Sequence, residues 1–125
     1  MMTLAQRRAA VALKWREQDL GGKKEISAMR GFPLLIRMEG LLLALAFAIE
    51  RKEDKQAKQL LPKNPGEMLL AAALVEHLTA EGILKQSRTP DDMVNELAQA
   101  ADPAQLRRAT AESLAFLNYL RRLIA

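Results

Sequence analysis

Cysteine is absent from this sequence of 125 residues, histidine occurs once, and only one tryptophan, one tyrosine and three phenylalanines are present. Without cysteine the chain can form no disulfide framework, and with one histidine it lacks the ligand sets of structural zinc sites. The lack of cysteine is also consistent with the reducing cytoplasm, which is the location we expect. A chain of this length is expected to fold as one domain, residues 1–125, around one hydrophobic core.

Long hydrophobic runs are absent as well. The longest candidate, residues 40–49, has about half of the ~20 apolar residues that a membrane-spanning helix needs, and charged residues flank it on both sides. The first residues also lack the apolar stretch of a secretion signal. We therefore expect no membrane partner, and we predict that residues 40–49 belong to a buried helix.

Leucine and alanine dominate the hydrophobic half of the sequence, whereas the valine and isoleucine typical of strands are scarce. Because leucine and alanine are strong helix formers, an all-α fold is expected. Thr3 and Gln6 are spaced as a capping box, and three later dipeptides each place an N-cap residue before a proline at the first helical position. These dipeptides are Asn64-Pro65, Thr89-Pro90 and Asp102-Pro103.

Helix boundaries follow from these start signals and from the glycines that end helices. The predicted helices span residues 3–20, 24–30, 34–51 or as far as 59, 65–80, 90–100 and 103–124. Residues 41–49 are apolar nearly all round, so this segment is predicted to be the central and most buried helix, with Leu45 and Phe47 in the core. The predicted fold is an all-α, single-domain helical bundle of about five to six helices around a buried apolar central helix.

Catalytic motifs are missing. His77 lies in the apolar stretch 68–78 with no serine or cysteine nearby in sequence, which favours a packed or surface-reaching histidine over a catalytic one. Acidic pairs such as Asp91-Asp92 stand where helix starts favour carboxylates, and no P-loop, G-x-G-x-x-G or HExxH pattern is present. We expect no enzyme activity, no catalytic or metal-binding residues, and no cofactor.

Basic residues are the remaining functional signal, with a net charge of +4 that favours an anionic partner. In the predicted last helix one side is apolar and the other is almost purely arginine, with Glu112 expected to offset only Arg108. Such a face can simply solvate a small domain, but a surface that serves solubility usually mixes both signs, and guanidinium groups match phosphate oxygens. The candidate RNA-binding residues are Arg7, Lys14, Arg107, Arg108, Arg121 and Arg122.

Arg8 differs from these candidates because it falls inside the apolar stripe that Leu4, Val11 and Trp15 form on the first helix. A cation in such a position needs a partner and can pack its aliphatic stem against neighbouring side chains. We predict that Arg8 pairs with a carboxylate of the C-terminal helix or with backbone carbonyls, in preference to RNA.

Both ends of the sequence carry recognisable patterns. Residues 3–9, TLAQRRA, resemble the start of the small subunit of the type III-B CRISPR effector, the Cmr complex. Residues 107–122, RRATAESLAFLNYLRR, are similar to the most characteristic segment of that family. Supporting matches in the middle of the chain are Pro33, Ile36, Gly40-Leu41 and Leu45-Ala46-Phe47.

This resemblance implies a non-catalytic α-helical subunit that stacks in several copies along the effector and contacts the backbone of the guide RNA–target RNA duplex in antiviral defence. Its implied partners are the other Cmr subunits, copies of itself, guide RNA and target RNA. Two alternatives remain: the small subunit of the related type III-A effector, and a helical protein–protein adaptor without RNA contact. A DNA-binding helix-turn-helix protein is disfavoured, because the helices between residues 34 and 78 are too apolar to lie in a groove.

Overall fold

Helices make up most of residues 1–16 and 23–124, the part of the chain that this computed structural model describes. A short antiparallel hairpin interrupts them, and the mostly helical fold predicted from the composition is confirmed. In chain order the elements are α1 Leu4–Arg16, α2 Lys23–Glu39, α3 Leu41–Ala48, β1 Arg51–Asp54, β2 Gln59–Pro62, α4 Pro65–Ala80, α5 Pro90–Ala98 and α6 Pro103–Ile124. The predicted end of the first helix at residue 20 and the glycine stop at residues 21–22 lie outside the described residues.

The capping signals act largely as predicted. The Thr3 amide donates to Gln6 Oε1 at 2.7 Å, and the Gln6 amide donates to Thr3 Oγ1 at 3.2 Å, which completes the capping box. Thr89 caps α5 by accepting from the amide of Asp92 at 3.1 Å. Asn64 precedes α4 but makes no cap bond with its side chain; its Nδ2 donates instead to the carbonyl of Phe47 at 2.8 Å.

The break between α2 and α3 is not where the sequence predicted it. Helix α2 runs through Gly31 and Pro33, so the predicted helix end at Gly31 and the predicted helix over 34–51 are both wrong. Burial of Met29, Phe32 and Ile36 against the core holds this stretch helical and outweighs the local cost of glycine and proline. The chain turns at Gly40, whose φ of +92° lies in the left-handed region that favours glycine.

The hairpin replaces the predicted extension of a helix towards residue 59. Strand β1 pairs with β2 in the register Arg51 with Pro62 and Asp54 with Gln59. Asp54 Oδ1 accepts from the amide of Gln56 at 3.0 Å, a side-chain turn of the kind that aspartate favours. The base is closed by the Lys63 amide, which donates to the carbonyl of Glu50 at 2.9 Å. Residues 51–62, where the predicted helix could have continued as far as residue 59, therefore form a largely exposed hairpin.

The buried apolar central helix is α4, not α3. Helix α4 packs against all five other helices, and Leu70, Leu74 and Leu78 on it are fully buried. Helix α3 buries only one side. The side chains of Leu43 and Phe47 on α3 are 54 % and 37 % exposed, whereas Leu45 is 0 % exposed. The predicted core position of Leu45 is confirmed and that of Phe47 is wrong, because no element among residues 1–16 and 23–124 covers the outer side of this eight-residue helix.

Two leucines on α3 provide a matched test of this burial. We expect Leu45→Ala to lower the free energy of unfolding by about 2–5 kcal/mol, because it leaves a cavity in the core. The same change at the exposed Leu43 should stay within about 0.5 kcal/mol. Urea unfolding followed by circular dichroism measures both values, and equal losses in the two variants would contradict the assignment of the faces.

Candidate nucleic-acid interface

A buried polar network joins α1, α4 and α6 beneath the basic surface. Arg8 donates through Nε to Glu112 Oε2 at 2.7 Å and through Nη2 to Glu112 Oε1 at 2.8 Å. The predicted pairing of Arg8 with a carboxylate of the C-terminal helix is confirmed. The expected contact of Glu112 with Arg108 is wrong, since both Glu112 oxygens bind groups beneath the surface.

His77 completes the network from α4. Its Nε2 lies 2.8 Å from Glu112 Oε2, and its ring stacks on Phe116 with centroids 4.6 Å apart and planes inclined by 15°. The histidine is 0 % exposed, and its Nδ1 has no hydrogen-bond partner among the described residues. An ionised carboxylate can only accept hydrogen bonds, so the hydrogen atom is on His77 Nε2, which donates a hydrogen bond to Glu112 Oε2. His77 is therefore the packed histidine that the sequence favoured.

The pKa of Glu112 reflects two opposing effects. Burial acts to raise it, but the hydrogen bonds from Arg8 and His77 and the positive charge of Arg8 outweigh burial and lower the pKa below its ordinary value. The same hydrogen bond to Glu112 raises the pKa of Arg8. The pair therefore stays ionised in the folded protein at neutral pH.

The two candidate cations on α1 are paired within the molecule. Arg7 donates through Nε and Nη2 to the two carboxylate oxygens of Glu81, at 2.7 and 3.0 Å. Lys14 forms an ion pair with Glu76, which also accepts from Trp15 Nε1 at 2.7 Å. Both cations remain partly exposed, and their contact with RNA stays a prediction.

The four candidate arginines of α6 are exposed, and none of them forms an ion pair within residues 1–16 and 23–124. They divide between two sides of the helix. Arg108 borders a depression with Leu4 of α1, whereas Arg107 and Arg121 border the seam between α6 and the α2–α3 pair. Arg122 lies near Asn118, to whose Oδ1 its Nε donates at 3.4 Å.

Two further arginines, on α2, were missed by the sequence analysis. Arg30 and Arg37 line a groove of about 250 Å³ together with Arg121 of α6. Their spacing of seven residues places them on one side of a continuous helix, two turns apart. That signal was present in the sequence, but the predicted break at Gly31 hid it.

Other classes of site find little support in the described part of the chain. There, no group of three or more histidine, cysteine, aspartate or glutamate residues is placed to hold a metal ion. Among the helices of that part, none has the length and hydrophobicity needed to cross a bilayer. The exposed arginines remain the main chemical feature of the surface.

Comparison with known proteins agrees with these features. The profile of the family described as "CRISPR-associated protein (Cas_Cmr5)" matches residues 4–125. The fold is similar to that in the X-ray crystal structure of a CRISPR-associated Cmr5 family protein from Thermus thermophilus, with a TM-score of 0.72 and 22 % sequence identity. The match covers 99 % of this chain and 96 % of that one. No curated protein matches the chain in sequence.

Removal of Glu112 tests the buried network. We expect Glu112→Ala to lower the free energy of unfolding by about 2–3 kcal/mol at neutral pH, because it leaves Arg8 without its counterion. This is less than the full loss for a buried pair, since the Arg8 side chain keeps 20 % of its exposure. Urea unfolding measures the loss, and Glu39→Ala at an exposed position on α2 is the control, expected within about 0.5 kcal/mol.

The loss of stability in Glu112→Ala relative to the wild type should depend on pH. Because folding lowers the pKa of Glu112, its contribution is fully present above the unfolded pKa and is lost as the pH falls through the folded pKa. The difference in stability between the wild type and Glu112→Ala should therefore shrink as the pH falls below 4.5, the ordinary pKa of a glutamate. A difference that is constant, or that grows on acidification, would show that the carboxylate is not ionised in the folded protein.

Proposed function

Because this chain belongs to the CRISPR-associated Cmr5 family, we propose that it is the non-catalytic small subunit of a type III-B CRISPR-Cas (Cmr) ribonucleoprotein effector, which acts in the cytoplasm in antiviral defence. Several copies stack along the effector and contact the backbone of the guide RNA–target RNA duplex. The family match over residues 4–125 is the observation that carries this proposal, and it favours the type III-B effector over the related type III-A effector. Co-purification with the other Cmr subunits and guide RNA tests it.

The RNA contact is supported by the exposed arginines of α6. Between Arg107 and Arg122 the helix rises about 22 Å, so its cations can reach several phosphates of one duplex. Arginine pairs with phosphate oxygens through two parallel hydrogen bonds, and a guide–target duplex can be recognised through its backbone without base-specific contacts. Such a subunit is expected to bind RNA of any base sequence, and a surface of exposed arginines that contact phosphates fits this expectation.

The stacking of copies is supported by exposed apolar side chains on α2 and α3. Met38 near the end of α2 is 70 % exposed, and Leu43 and Phe47, one turn apart on α3, are 54 % and 37 % exposed. Exposed apolar surfaces of this kind often mark protein–protein contacts. Neighbouring subunits, including further copies of this chain, would cover them in the assembly.

We expect the purified protein to show no nuclease, nucleotidyl-cyclase or phosphatase activity, with or without divalent metal ions. The one histidine is fully buried, and its Nε2 is bonded to Glu112. Assays with single-stranded RNA, duplex RNA and nucleotides check this expectation. Metal-dependent cleavage that survives repurification and disappears in His77→Gln would contradict the non-catalytic role.

Charge reversal at Arg121 and Arg122 tests the RNA contact. We expect Arg121→Glu/Arg122→Glu to weaken assembly on guide RNA and to lower the slope of log affinity against log salt by about one unit for each lost phosphate contact. Stability should stay within about 0.5 kcal/mol per exposed substitution. Fluorescence anisotropy with an RNA duplex gives the slope, and thermal unfolding gives the stability.

The control for this experiment removes two cations elsewhere. Lys85 and Arg88 are exposed residues between α4 and α5, and their double reversal to glutamate should leave the salt slope close to that of the wild type. Loss of assembly with an unchanged slope in Arg121→Glu/Arg122→Glu would support the adaptor alternative. If neither quantity changes, the arginine face is only solvated.

A further inference from the structure

The seam between α2 and α6 contains a groove whose charged lining residues, within the part of the chain that the structure describes, are all arginines. Helix α2 contributes Arg30 and Arg37, and α6 contributes Arg121. The groove has a volume of about 250 Å³.

No carboxylate among the described residues balances the charge in this groove. No lining residue is acidic, and none of its three arginines pairs with a carboxylate in the described part of the chain. Arginines that merely solvate a surface are usually interspersed with acids. Three uncompensated cations on two packed helices therefore indicate a site for an external anion.

The other grooves beside α6 differ in this respect. The depression that Arg108 borders on the α1 side also contains Glu81 and Glu112. The wider apolar groove that Arg107 borders contains Glu39. A phosphate would meet a carboxylate in either of these places, whereas the groove between α2 and α6 offers only cations and an amide.

The geometry also restricts the kind of anion. Arg30 and Arg37 are separated by about 10.5 Å along the axis of α2, which is too far apart for both to bind one phosphate through the ends of aligned side chains. Arg121 faces them from α6, and Asn118 adds a side-chain amide that can donate to a phosphate oxygen. The volume lies below the ~300–1,000 Å³ of typical small-molecule pockets. A linear polyanion that passes over the groove fits these features better than an enclosed metabolite.

We propose that the α2–α6 groove, through Arg30, Arg37 and Arg121, binds successive phosphates along one strand of an RNA backbone. This inference rests on the proposed RNA contact and gives it a location: the RNA follows the α2 side of α6 and not the α1 side. Arg30 and Arg37 then contact RNA in the same way as the α6 arginines. The buried apolar residues beneath them, Met29 and Leu117, hold the two helices at a fixed spacing.

Neutralisation of the two α2 arginines tests the site. We expect Arg30→Gln/Arg37→Gln to lower the salt slope for a 20-base-pair RNA duplex of arbitrary sequence by about 1.8, which is two contacts at about 0.9 each. Affinity at low salt should fall at least about tenfold. The matched control, Lys85→Gln/Arg88→Gln, removes the same charge between α4 and α5 and should behave as the wild type. All four substituted residues are exposed, so the thermal unfolding of both variants should stay close to that of the wild type.

A second measurement locates the RNA directly. In methyl and amide NMR spectra of the wild type, addition of the duplex should shift Leu34, Leu114 and Asn118, which line the groove. Resonances of Leu4 and Ile83, which line the depression on the α1 side, should shift less. Larger shifts on the α1 side would overturn the proposed path.

The remaining outcomes separate this inference from the proposed function. Suppose that the salt slope is that of the wild type in Arg30→Gln/Arg37→Gln but is reduced in Arg121→Glu/Arg122→Glu. The α2–α6 groove is then not the RNA site, whereas the proposed RNA contact of α6 still holds. If the salt slope is reduced in Arg30→Gln/Arg37→Gln but the wild type does not co-purify with Cmr subunits, the groove is supported and the proposed assembly is wrong. Loss of assembly with an unchanged slope identifies an acidic protein surface as the ligand and overturns the inference. If the wild type shows no salt-dependent affinity for RNA, both the groove and the proposed RNA contact are wrong.

Discussion

The carboxylate of Glu112 links three helices, and the attachment of α1 to the bundle depends on this link. Helix α1 buries only Ala12 completely, while Val11 and Trp15 pack against the core and remain partly exposed. Ion pairs to α4 and α6 compensate: Arg8 binds Glu112 and Arg7 binds Glu81, while Lys14 and Trp15 share Glu76. Because His77 holds Glu112 from the far side, the carboxylate is fixed in the position that Arg8 requires.

This arrangement distinguishes two groups of cations. Arg7, Arg8 and Lys14 of α1 are bound to carboxylates within the bundle and stabilise it, as the lowered pKa of Glu112 indicates. Arg30 and Arg37 of α2 and the four candidate arginines of α6 form no ion pairs within the described residues and remain available to an anionic partner. The net charge of +4 does not distinguish these two groups. The tertiary contacts do, and they bring Arg30, Arg37 and Arg121 together at the seam between α2 and α6.

Features that depend on neighbouring residues in the sequence were predictable, whereas features that depend on packing between helices were not. The capping box of Thr3 and the start of α5 after Thr89 depend on residues within one helical turn, so the sequence determines them. The partner of Arg8 was predictable in kind because a cation on an apolar stripe needs a carboxylate. The continuity of α2 through Pro33 depends on packing against other helices, which a local reading does not contain. The same error concealed Arg30 and Arg37, since their alignment exists only if the helix is unbroken.

The hairpin between α3 and α4 is held by hydrogen bonds at its base. Its base is closed by the bond from the Lys63 amide to the Glu50 carbonyl, and the side chain of Asn64 reaches back to the last turn of α3. The junction of α3 with α4 is thus set at the base and does not depend on how far the strands extend. Exposed loop tips are the places where insertions are best tolerated. Residues 55–58 are consequently a suitable position for an inserted epitope or fluorophore that leaves the helices and their arginines in place.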